Sequence, residues 1–151
     1  MWGVIMRTHI GVGFAGMLLM ASALSLSAHH SHPLFYDQCN KLTLEGRVDS
    51  VQWKNPHILV VIKMDDGSTY TAEWASLQEL TTRNIVGPAQ AALMPGSRVV
   101  VVGNPLRDPA QIRASFPDLP AISNTKVVDL LQIRRTDDSW SWAQQSPPPC
   151  K

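Results

Sequence analysis

Leu42-Thr43-Leu44-Glu45-Gly46-Arg47-Val48 alternates apolar or small residues with polar ones, the period-2 signature of a strand with one face in a core. The pattern then slips by one position, because Val51 and Trp53 continue on odd numbers. A bulge or sharp bend near Asp49-Ser50 would restore the parity. A long, bent first strand with a glycine at mid-length suits the rolling of a small sheet into a closed barrel. Asn55-Pro56 ends it, since proline cannot donate to a ladder.

The chain that follows fits the same plan. His57 to Met64 is apolar enough for a central second strand, and Asp65-Asp66-Gly67-Ser68 is a hairpin turn. Thr69–Trp74 is a third strand, with Tyr70, Ala72 and Trp74 on one face and Thr69, Thr71 and Glu73 on the other. Ser76-Leu77-Gln78-Glu79 reads as a capping box opening a helix. Leu77, Leu80 and Ile85 would form its buried stripe, and Gly87-Pro88 would stop it. Pro95-Gly96 turns into a fourth strand, Arg98–Gly103. Residues 104–124, with prolines at 105, 109, 117 and 120, read as a long loop before a fifth strand, Lys126–Arg134. The expected class is mostly β, a small OB-like five-stranded barrel with one helix between strands 3 and 4. Another small antiparallel barrel or sandwich satisfies the same string. Residues 29–135 would form this domain, and 136–151 a loose polar tail apart from Trp140 and Trp142.

The chain begins differently. Arg7 precedes an uncharged run, Ile10–Leu26, that closes on Ser25-Leu26-Ser27-Ala28. A basic start, an apolar middle and a small-residue exit define a secretory signal peptide over residues 1–28. A membrane anchor would need ~20 apolar residues without this density of Gly, Ala and Ser. Cleavage after Ala28 is preferred, although Ala21-Ser22-Ala23 offers a second A-x-A exit. Arg7 is the one basic or acidic side chain lost, so 13 Lys+Arg against 12 Asp+Glu becomes an even balance. Zero net charge argues against nucleic acid as a partner, which needs a basic face. A hydrophobic fraction of 44% is that of an ordinary folded domain.

Export would leave the histidines as the densest chemistry. His29, His30 and His32 follow the cleavage point directly. A new α-amine (pKa about 7.7–8) and imidazoles (about 6.5) shed protons readily near neutrality, and so ligate metals there. Such nitrogen donors suit copper as Cu(II), or nickel or zinc. His57, held after Asn55-Pro56 at the rim between the first two strands, is the candidate fourth ligand. An extended chain from His30 to Lys41 reaches about 36 Å, enough to cross a small barrel. A flexible tail with incidental affinity, and a His57 bonded to its own backbone, are the bland alternatives.

Ala28-His29-His30-Ser31, followed by Tyr36-Asp37, the Gly46-Arg47-Val48 strand and Trp53-Lys54-Asn55-Pro56-His57, resembles a family of small secreted bacterial proteins of unknown function. Its members carry an AHHS mature N-terminus and a WxNPH motif. The resemblance continues through Trp74, the Ser-led helix at Ser76–Asn84 and Pro95-Gly96-Ser97-Arg98-Val99, covering about residues 28 to 105. It implies an exported OB-like domain and supports cleavage at Ala28, with no activity, ligand or partner to carry over. Beyond Pro105 the chain departs from that pattern.

No catalytic constellation stands out. There is no G-x-S-x-G elbow and no glycine-rich phosphate loop, and Asp65-Asp66 is a turn. An enzyme is therefore undecided but disfavoured. The expected function is a periplasmic or secreted binding module for copper or another transition metal. The alternative is an envelope adaptor that binds a protein partner at the barrel rim without metal. Trp53, Asn55 and Trp74 would be its contacts, although indoles in such strands are more often core residues than a stacking platform. Cys39 and Cys150 are the chain's two cysteines, and an oxidising compartment would let them pair.

Overall fold

The computed structural model describes residues 32–146 and 149–150. The predicted signal segment and the side chains of His29, His30 and His32 lie outside the described residues. After a four-residue helix α1 (His32–Phe35) come β1 (Leu42–Gln52), β2 (Leu59–Met64) and β3 (Thr69–Glu73). Helices α2 (Leu77–Thr82) and α3 (Val86–Ala92) lead into β4 (Arg98–Pro105). Then α4 (Pro109–Ser115), β5 (Val127–Arg135) and β6 (Ser141–Ala143) complete the described chain.

The sheet runs β3-β2-β1-β4-β5-β6, and β3 also pairs with β5 in parallel, which closes the first five strands into a barrel of OB-like order. β1 makes this possible by serving two ladders. Its first half pairs with β4, from Leu42↔Gly103 to Arg47↔Arg98. Its second half pairs with β2, from Gly46↔Met64 to Gln52↔Leu59. The expected bulge is present: the register steps between Val48 and Ser50, skipping Asp49. Gly46 sits where the two ladders overlap. A Cβ there would lie 2.5 Å from the Lys63 carbonyl oxygen, closer than packed atoms approach, so the strand coils only without a side chain. Gly103 plays the same part against β5, where a Cβ would come within 2.6 Å of the Asp129 carbonyl oxygen.

Inward residues of every barrel strand, among them Val48, Val60, Ala72, Val101 and Ile133, meet around Trp74. Leu80 of α2, Ala89 of α3 and Leu93 at the C-cap of α3 join this core.

Three expectations need correction. The single helix is two. Asn84 turns left-handed at φ 57°, and Gly87-Pro88 lies in the first turn of α3 rather than stopping a helix. Proline is tolerated there because first-turn N–H groups have no intrahelical acceptor to lose. The proline-rich loop contains α4, whose Asp108 accepts a capping bond from Ala110 N at 2.9 Å with Pro109 opening the helix. The tail is also more than loose. β6 pairs with β5, and Trp140 and Trp142 stand 6.2 and 5.2 Å from Trp74 between ring centres. The turn before it is fixed by Arg135, which binds Asp137 and the carbonyl of Ala92 at the end of α3. That ion pair and the Ser139 bonds hold the Asp137 carboxyl below the usual range.

Gly46→Ala should destabilise the fold by about 1–3 kcal/mol, the usual cost of overpacking. Urea unfolding measures it, and an unchanged midpoint would show that β1 does not need the close approach.

Candidate functional site

The site lies on the outer face of the barrel, where β3 meets β2 and β5. The loop 53–58, with a cis Asn55-Pro56 peptide, is short, and it is pinned where Ile58 exchanges backbone bonds with Trp74 and Ala75. Ile58 is fully buried, so alternation along the chain turns the His57 side chain outward. Glu73 obeys the same rule on β3. Its neighbours Ala72 and Trp74 face the core, it faces out, and its register partner on β2 is Leu59, two residues from His57. His57 Nδ1 and Glu73 Oε1 are hydrogen-bonded.

The other Glu73 oxygen is taken by Tyr36, whose hydroxyl donates to Oε2. Tyr36 arrives on a strap that pairs with the chain just after β4. Tyr36 bridges Leu106, Arg107 N donates to Phe35 O and Asp37 N donates to Pro105 O, both at 2.8 Å. Asn104 Nδ2 ties the next turn through Asn40 O at 2.7 Å. Burial first, then the Glu73 charge and hydrogen bond, then the Asp129 charge, push the Tyr36 phenol far above its ordinary range. It is therefore a neutral donor. Asp129 is the register partner of Glu73 across the parallel seam and is only 8% exposed.

A carboxylate only accepts, so the proton of this bond resides on Nδ1 of the neutral imidazole. Nε2 then carries the lone pair, which makes it the ring atom for a metal ion or a proton. A carboxylate behind a ring in this way is the usual support of a metal-binding histidine.

The sequence-derived candidates divide. His57 sits in this polar group. His29 and His30 lie outside the described residues, as does the side chain of His32, though the backbone of His32 opens α1 four positions before Tyr36. Among the described residues, no three His, Cys, Asp or Glu side chains assemble into a metal-holding group. Trp53 is half-buried against Trp74 at 6.3 Å, and Asn55 is exposed on the rim. Trp74 is 1% exposed, so of its two readings the structure has the core and not the rim contact. Cys39 and Cys150 form a disulfide between residues 111 apart in sequence, with Cα atoms 4.6 Å apart, which tethers the C-terminal segment to the strap.

Tyr36 and Glu73 were not among the chemical candidates. The signal for Glu73 was available: extending the hairpin register back from the Asp65–Ser68 turn sets it opposite Leu59, beside His57. Tyr36 has no such local signal, because its partner is 37 positions away.

Fold and site together define a small closed β-barrel with a Tyr–Glu–His group on its outer face. The chain belongs to DUF6152, a family of unknown function whose model matches residues 17–113. No curated protein matches the chain.

Glu73→Ala removes the acceptor of two donors and strands the buried Tyr36 hydroxyl, so it should cost about 1–3 kcal/mol. Thermal or urea unfolding checks this, and a stability equal to wild type would mean the bonds are not formed in solution.

Proposed function

We propose that this protein is an exported, periplasmic module that binds a transition-metal ion, with Cu(II) first and Zn(II) second. His57 supplies the barrel-borne ligand through Nε2. The remaining donors are His29, His30 and His32 with the α-amine left by cleavage after Ala28. The observation that carries this reading is the double hold on Glu73, which fixes the ring of His57 by its other nitrogen. A ligand held rigidly needs less ordering on binding than one on a flexible chain.

The chemistry of the donors favours a borderline divalent ion: nitrogen ligands near carboxylates, with both cysteine sulfurs committed to a disulfide. That disulfide is compatible with an oxidising compartment. Among the described residues no helix is long and apolar enough to cross a membrane.

The test is Cu(II) titration of untagged protein processed at Ala28. Glu73→Gln should weaken binding about 10–100-fold, the usual cost of losing a ligand's supporting carboxylate, and His57→Ala by at least as much. Removal of residues 29–32 should abolish tight binding. Equal affinity for wild type and His57→Ala would take the barrel out of the site. Equal affinity after removing 29–32 would take the N-terminal histidines out of it. If wild type binds no copper or zinc, the adaptor reading, with Trp53 and Asn55 on the rim, replaces this one.

A further inference from the structure

The parallel seam that closes the barrel is its shortest ladder within the five strands. It has three register pairs, Thr71↔Val127 to Glu73↔Asp129, against six between β1 and β4. Tyr36 spans this seam from outside. Its backbone bridges Leu106, whose N–H is bonded to Val127 O on β5 at 3.1 Å, while its hydroxyl reaches Glu73 on β3. The same Glu73 carboxylate holds His57. Tyr36 and Glu73 therefore form a clasp between the strap, which rides on the β4–β5 side, and the end of β3. His57 is attached to the β3 half of that clasp.

We infer that occupation of His57 and closure of the β3–β5 seam are coupled through Glu73, so that the metal ion binds the closed barrel and in turn tightens it. This rests on the metal-site reading of His57. Coupling of this kind is reciprocal: if closure fixes the orientation of the imidazole, a ligand on the imidazole must favour closure to the same extent. The clasp itself exists without any ion. A Tyr36→Phe chain keeps the ring and the strap but loses the hydroxyl, so the seam should open locally more often while the β1–β4 ladder is unaffected.

Hydrogen exchange followed by mass spectrometry on the untagged chain separates the possibilities. Residues 69–75 report the seam and residues 98–103 the β1–β4 ladder. Tyr36→Phe should speed exchange in 69–75 about ten- to hundredfold, the worth of one hydrogen bond to a charged group, and leave 98–103 unchanged. Glu73→Gln, which keeps the side-chain shape, should act in the same direction. Added Cu(II) should slow exchange in 69–75 several-fold in wild type and not in His57→Ala. Equal acceleration of both segments in Tyr36→Phe would overturn the clasp. Copper ligated by His57 with no change in 69–75 would overturn the coupling and leave the metal site standing. Absence of copper at His57 would overturn the metal site and the coupling together, with the Tyr36→Phe result still deciding the clasp.

Discussion

One carboxylate is shared by three distant pieces of chain. Glu73 stands at the end of β3, Tyr36 on the strap before β1, and His57 in the loop after it. A part-buried carboxylate is best held when its oxygens are satisfied, and each of the two Glu73 oxygens has a donor. The arrangement decides several things at once. It fixes the proton of His57 on Nδ1, it adds to the burial that holds the proton on the Tyr36 phenol, and it draws the strap onto the outer face of the barrel where the sheet closes.

The barrel supplies the geometry that makes this sharing feasible. β1 is long enough to serve two neighbours, and Gly46 and Gly103 allow the backbones to approach where the sheet curls. Once curled, β3 and β5 meet in parallel, and alternation places Glu73 and Asp129 side by side on the outside while Ala72 and Val128 face the core. The Tyr36 phenol feels both carboxylates, Glu73 more strongly than Asp129.

Much of the fold was legible because the signals are local. The alternation from Leu42, the parity slip at Asp49-Ser50 and the Asp-Asp-Gly-Ser turn each act over a few residues, and the observed strands and bulge follow them. Proline marks a break in a chain only where its missing N–H is needed. Pro88 and Pro109 both lie in first turns of helices, where proline loses no hydrogen bond. In the polar tail Trp140 and Trp142, two apart, stand out from their surroundings, and both find Trp74. The site was half legible. His57 is conspicuous by residue type and by its Asn-Pro context. Glu73 looks like any outward charge on a half-buried strand, and Tyr36 gains its meaning only from a contact across 37 positions. Long-range pairing of this kind leaves no periodic trace in the chain.

Glu73 sets which nitrogen of His57 carries the ring proton, and nitrogen-15 NMR of the imidazole reads this directly in the metal-free protein. Above the titration of the ring, the expected spectrum of His57 has a protonated Nδ1 and an unprotonated Nε2. Glu73→Ala should shift it toward the Nε2–H form that an unsupported imidazole prefers. A wild-type His57 protonated on Nε2, or a spectrum unchanged in Glu73→Ala, would contradict it.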